Sequence, residues 1–208
     1  IETGYITSDG KEISSAFSKC SKLEKVTIYE VEGNHDKLWS SRDGVLFYNN
    51  VIANEGLELR YVPAALKPSA GGNGILTEYN NEAGEMCTQF NVPNEVVSLP
   101  FQAFAKLTFT RIVIPYSVVK VNASAFNATK CKEIIFEATP AGQTEKPLTI
   151  AADTAFKDCE AETIVLPSRL SETNFPAIFG SCAKLKAIGF SGTGGRYEAA
   201  SLTADVKV

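Results

Sequence analysis

The chain has 208 residues, 44% of them apolar and 21% charged, which is enough apolar material for one continuous core and excludes a disordered chain. A net charge of −4 and a pI near 5.2, with no basic run, argue against a nucleic-acid surface. No apolar run approaches the roughly 18 residues that span a bilayer, so an integral membrane protein is not expected.

The first residue is Ile1, so the numbering is expected to follow a removed leader or an engineered boundary. Residues 1–31 read as an N-terminal coil or cap, with Asp9-Gly10 as a turn and Ile13 leading into Phe17. Residues 32–84 carry Trp39, Phe47, Tyr48, Tyr61 and Tyr79 among the turn signals DG, NN and GGNG, as expected of hairpins beside the main stack. Within them, SRDGVLFYNN followed by LELRYVP reads as such a hairpin insert.

From 85 to 191 one phrase recurs. An Ala-Phe or Ile-Phe pair is followed by an apolar residue, then by two apolar residues flanking one other, often with Pro after them. The aromatic anchors are Phe17, Phe104, Phe126, Phe156 and Phe179, with steps of 22, 30 and 23 residues between the last four. The longer step holds the polar insert TPAGQTEKP at 139–147. Three residues past the anchor stand Cys20, Leu107, Thr129, Cys159 and Cys182; the next column holds Leu23, Phe109, Cys131, Ala161 and Leu185. The triplets follow, with outer members Val26 and Ile28, Ile112 and Ile114, Ile134 and Phe136, Ile164 and Leu166, Ile188 and Phe190. A copy lacking the aromatic runs through Cys87 to Phe90, Val92 and Pro93, and Val96 with Leu99 matches Val118 with Val121.

A repeat of about 22 residues cannot bury its apolar side alone, so neighbouring copies must share a core, which predicts a solenoid. Alternation along a strand points the outer triplet members inward and the middle ones outward. Pro93, Pro115 and Pro167 lack the backbone donor and end the pairing. After the repeats, 192–208 opens with SGTGG and reads as a C-terminal cap or tail.

These columns resemble the BspA-type leucine-rich repeats, whose pattern is approximately L-x-x-I-x-I-P-x-x-V-x-x-I-x-x-x-A-F-x-x-C; the resemblance covers about 11–31 and 85–191. It implies one domain over 1–208, a β-rich, leucine-rich-repeat-like right-handed coil stack with a parallel sheet on one face and irregular or hairpin inserts. It also implies an exported or cell-surface bacterial module for adhesion or protein–protein interaction. The partner would be a protein, such as a host extracellular or matrix protein, or a glycan.

The outward column is Thr27, Asn91, Val113, Ile135, Val165 and Gly189. Val113, Ile135 and Val165, rimmed by Arg111, Glu133 and Thr163, form the candidate partner-binding patch, although strand propensity alone also favours such residues. The alternative is a carbohydrate-binding surface in the aromatic-rich region 39–79, using Trp39 and Tyr48.

Five cysteines lie in inward columns and read as buried thiols. The rival is a Cys159–Cys182 disulfide, since these share a column at about 4.8 Å per strand, but ladder geometry holds their Cβ atoms too far apart. No C-x-x-C occurs, and the single histidine, His35, lies in a polar loop far from that column, so no metal is expected. The carboxylate pairs Glu30 with Glu32 and Asp36 with Asp43 read as solvated turns. Gly71, Gly72 and Gly74, like Gly192, Gly194 and Gly195, lack a Walker ending and read as loops. No G-x-S-x-G elbow occurs. The sequons at Asn122 and Asn127 read as turn and ladder residues. No catalytic residue and no cofactor are expected.

Overall fold

The computed structural model describes residues 17, 20–29, 38–50, 56–69, 71–72, 74–151, 154–170, 178–179, 181–191 and 197–200. The expectations for Asp9, Gly10, Ile13, Glu30, Glu32, His35, Asp36, Gly192, Gly194, Gly195 and the last residues of the tail lie outside these.

Thirteen strands are described: β1 Trp39–Arg42, β2 Val45–Asn50, β3 Gly56–Tyr61, β4 Leu76–Asn80, β5 Met86–Asn91, β6 Val96–Leu99, β7 Arg111–Ile114, β8 Lys120–Val121, β9 Glu133–Phe136, β10 Thr149–Ile150, β11 Thr163–Pro167, β12 Ala187–Ser191 and β13 Tyr197–Ala200. They make two sheets. The triplet sheet runs β13-β12-β11-β9-β7-β5-β4, and the flank sheet runs β1-β2-β3-β6-β8-β10.

Each triplet from Phe90 onward becomes one strand of the triplet sheet, and successive triplets pair in parallel with no slip. Phe90 lies opposite Ile112, Ile112 opposite Ile134, Ile134 opposite Ile164, and Ile164 opposite Ile188. Register is fixed because a one-residue slip would turn every isoleucine to the outside. The upstream apolar columns make the second sheet: Leu99 pairs with Val121, and Val121 with Ile150. The repeats anchored on Phe104, Phe126 and Phe156 therefore each supply a strand to both sheets, and the residues between them make the Ala-Phe turn.

That turn is held by the neighbouring repeat. The Phe104 and Phe126 amides donate to the carbonyls of Ala125 and Ala155 at 2.7 and 2.8 Å, and those of Lys106 and Ala128 to Asn127 and Lys157 at 2.9 Å. Such a tight path takes left-handed residues on both sides of the anchor, at Gln102 and Lys106 (φ 60° and 62°) and again at Ser124 and Ala128 (φ 57° and 52°). Inside it, Phe104, Phe126 and Phe156 stack almost parallel at 5.3 and 4.9 Å, and Phe179 follows at 5.2 Å. Burying each ring is worth about 1.5–3 kcal/mol, with about 0.5–1.5 more for each ring pair. The fully buried Thr129 sits among these apolar columns because its hydroxyl donates to the Phe104 carbonyl at 2.7 Å.

The hairpin region is part of the sheets and does not stand beside them. Asp43 and Gly44, both at positive φ (50° and 82°), join β1 to β2 in the turn that Asp-Gly favours. β2 pairs antiparallel with β3, β3 pairs in parallel with β6, and β4 closes onto β5. After the repeats, β13 pairs antiparallel with β12.

Four expectations need correction at the ends of the repeat region. Residues 26–28 form no strand, and Thr27 and Ile28 are exposed. This segment lies along the β1–β2 turn, with the Val26 amide on the Gly44 carbonyl at 2.8 Å and the Ile28 amide on Ser41 Oγ at 2.8 Å. Cys20 is exposed, in contrast to the other four cysteines. At the far end Phe190 is 44% exposed although its partner across the sheet, Leu166, is fully buried.

Candidate functional site

The alternation along β5, β7, β9, β11 and β12 leaves two residues per strand on the outer face of the triplet sheet: Gln89 and Asn91, Arg111 and Val113, Glu133 and Ile135, Thr163 and Val165, Ala187 and Gly189. The residues between them, Phe90, Ile112, Ile134, Ile164 and Ile188, belong to the core cluster, whereas Val113, Ile135 and Val165 do not.

All six predicted patch residues thus fall on one face. Arg111 Nε donates to Glu133 Oε2 at 2.5 Å, with the two side chains about one third exposed. Val113 is half-buried, while Ile135 and Val165 are only 9% and 8% exposed. The patch is therefore less open than the sequence suggests. Side chains on adjacent strands sit about 4.8 Å apart, and β-branched neighbours on one face cover each other. Thr163 is half-buried beside them, and Thr27 is not in the sheet at all.

Beside this apolar strip lies a polar network that the sequence reading missed. The Arg111 guanidinium stands 4.9 Å over the Tyr79 ring, and its Nη1 donates to Gln89 Oε1 at 3.3 Å. Gln89 Nε2 donates to Asn91 Oδ1 at 2.7 Å, and Asn91 Nδ2 donates to the Gly74 carbonyl at 3.2 Å. Burial pushes the Tyr79 phenol up, against the opposing pull of Arg111. One signal could have found Gln89: it stands two residues before Asn91, as Arg111 stands before Val113. Nothing in the sequence pairs Tyr79 with Arg111, because that contact depends on β4 folding back onto β5.

Along one border of the sheet, ahead of the strands, an open groove of about 280 Å³ is lined by Lys130, Cys131, Lys132, Glu160, Glu162 and Lys184, with Thr108 and Thr110. Lys184 binds Glu160 at 2.6 Å and Lys186 binds Glu162 at 2.8 Å, so each lysine's hydrogen bond holds its carboxylate below the usual range.

The alternative pair also comes together. Trp39 and Tyr48 lie opposite each other in β1 and β2, with rings 4.8 Å apart and tilted by 56°. Arg60 sits over Tyr48 at 4.9 Å and binds Glu58 at 2.5 Å, and both of those side chains are about nine-tenths buried. The sequons are ladder residues: Asn122 Nδ2 donates to the Leu99 carbonyl at 3.0 Å, and Asn127 Nδ2 to that of Lys157 at 3.3 Å. Among the described residues no cluster of His, Cys, Asp and Glu has the arrangement of a metal site, and no helix is long and apolar enough to cross a membrane.

The sequence model of the BspA type leucine rich repeat region matches this chain in 6 copies, over residues 82–141 and 97–198. No curated protein and no solved structure matches it.

Proposed function

The chain belongs to the BspA-type leucine-rich repeat family, and from that premise we propose a non-enzymatic interaction module, exported or displayed at the cell surface. Its repeats wind as a right-handed solenoid within a single domain, and the outer face of the triplet sheet is offered to a protein partner, as in adhesion. The observation that supports this is the composition of that face. Val113, Ile135 and Val165 make an apolar strip across three strands, bordered by Thr163 and by the Arg111–Glu133 pair, whose charges are already matched within the chain. A partner covering such a surface meets the part of Val113 that is still open, over the buried Ile135 and Val165, without stripping a lone charge, and an apolar centre with a polar rim is a common interface pattern.

The test is a Val113→Asp, Thr163→Glu double variant, since both positions are only partly buried. Against a panel of immobilised extracellular-matrix proteins, the variant should keep its circular dichroism and melting temperature and lose at least about thirtyfold in affinity for any protein the native chain retains. Native-like retention by the folded variant moves the interface elsewhere.

The side-by-side Trp39 and Tyr48 rings favour a second reading, glycan binding on the flank sheet. A glycan that changes Trp39 fluorescence in the native chain, and is lost with Trp39→Ala, would establish that reading instead.

A further inference from the structure

Three cysteines come together where the repeats meet. Cys131, Cys159 and Cys182 are 8%, 1% and 2% exposed, and the sulfur of Cys159 lies within hydrogen-bond reach of the other two thiols. They differ in what else they touch. The Cys182 sulfur also lies 3.4 Å from the Phe156 carbonyl. Cys131 is the one that lines the open groove, beside Lys130, Lys132 and Lys184. Neither Cys131 nor Cys159 belongs to a strand, so the ladder geometry that argues against a disulfide between stacked strand residues does not constrain them. The Cys159 amide is fixed by the Phe156 carbonyl at 3.0 Å and the adjoining Glu160 amide by that of Thr129 at 2.9 Å, which ties the second cysteine's turn to the first cysteine's repeat.

We propose that Cys131 and Cys159 form a dithiol modification site that small disulfides reach through the groove and convert to an intrachain disulfide, with Cys131 as the entry thiol and Cys159 as the resolving thiol. The hydrogen bond from Cys131, and after it that from Cys182, lowers the Cys159 thiol's pKa against the effect of burial, while those of Cys131 and Cys182 are raised. Cys131 reacts first because it, and not the 1%-exposed Cys159, lines the groove, and its proton leaves to water there. The Cys131 thiolate attacks a small disulfide RSSR in the groove, forming the mixed disulfide Cys131–S–S–R and releasing RS⁻, which is protonated by the Cys159 thiol. The Cys159 thiolate then attacks the Cys131 sulfur, closes the protein disulfide and expels the second RS⁻, which takes a proton from water. Two thiols are oxidised by two electrons, one RSSR is reduced to two RSH, and no other reactant is needed.

The experiment treats the native, folded chain with excess 2-hydroxyethyl disulfide, quenches it, denatures it in N-ethylmaleimide, and maps the cysteines by mass spectrometry. The expected result is a Cys131–Cys159 linked peptide, a hydroxyethyl mixed disulfide on the exposed Cys20, and alkylated Cys87 and Cys182. Cys182→Ser should form the same link at a comparable rate. Cys159→Ser, checked for native circular dichroism, should form no link and should accumulate the mixed disulfide on Cys131. Alkylated Cys131 and Cys159 in the treated native chain would overturn the proposal. So would a link mapped to Cys159–Cys182, or loss of the link in a folded Cys182→Ser variant.

Discussion

The same residue grammar occurs twice in this chain with different outcomes. In the repeat region, Ile112-Val113-Ile114 is a strand with both isoleucines in the core, Phe126 is fully buried between two parallel rings, and Cys159 is buried. Near the N-terminus, Val26-Thr27-Ile28 is not a strand, Phe17 is half-buried against Tyr61 at 4.8 Å, and Cys20 is exposed. Phe190, at the last triplet, is exposed as well. Burial thus follows a neighbouring copy of the motif, as expected when each repeat contacts only its neighbours: the last repeat, with a copy on one side, still buries Phe179, Cys182 and Ile188. The motif facing the hairpin keeps its sequence and loses its environment, and the one at the far end loses it only at Phe190.

The largest expected effect separates the two regions directly. Phe126→Ala removes a ring packed on Phe104 and Phe156 and should cost about 3–5 kcal/mol by denaturant titration, whereas Phe17→Ala should cost about 1–2 kcal/mol. Equal losses would mean that neighbouring copies do not decide burial. Next comes the hairpin that displaces the first triplet. Gly44 is at φ 82°, and a Cβ there would meet the Lys25 Cβ at 2.8 Å, so Gly44→Ala should destabilise by about 1–3 kcal/mol and loosen residues 25–28. An unchanged melting temperature would break that link between hairpin and N-terminal segment.

Within the repeats, Thr129→Val keeps shape and removes the hydroxyl bond to the Phe104 carbonyl, which should cost about 1 kcal/mol in a melting experiment. The smallest effect has the opposite sign. Ala128 holds φ 52° in the Ala-Phe turn, so Ala128→Gly relieves left-handed strain and should stabilise by a few tenths of a kcal/mol, up to about 1. A destabilised variant would show that the turn carries no such strain.

The triplet sheet was legible because its strands carry period-2 apolar columns at a fixed step, and both its register and the inward isoleucines follow from that. The flank sheet was legible only as matched apolar columns, since Lys120–Val121 and Thr149–Ile150 are two-residue strands too short to show a period. That β3 joins β6 in parallel was not readable, because it depends on which way the hairpin folds against the repeats. At the candidate face, the column rule assigned Val113, Ile135 and Val165 to the outer side of the strands, where Val113 is half-buried and Ile135 and Val165 are buried. It could not tell that β-branched neighbours would close over one another, nor that Tyr79 would reach Arg111 from β4.

Native-state amide hydrogen exchange tests the central claim most directly, that neighbouring repeats make the rigid unit holding the candidate face. The amides of Phe104, Lys106, Phe126 and Ala128, each bonded to the next repeat, should exchange only through global unfolding, while those of Val26 and Ile28 exchange at least about a hundredfold faster. Equal protection of the two groups, or faster exchange in the Ala-Phe turns, would contradict it.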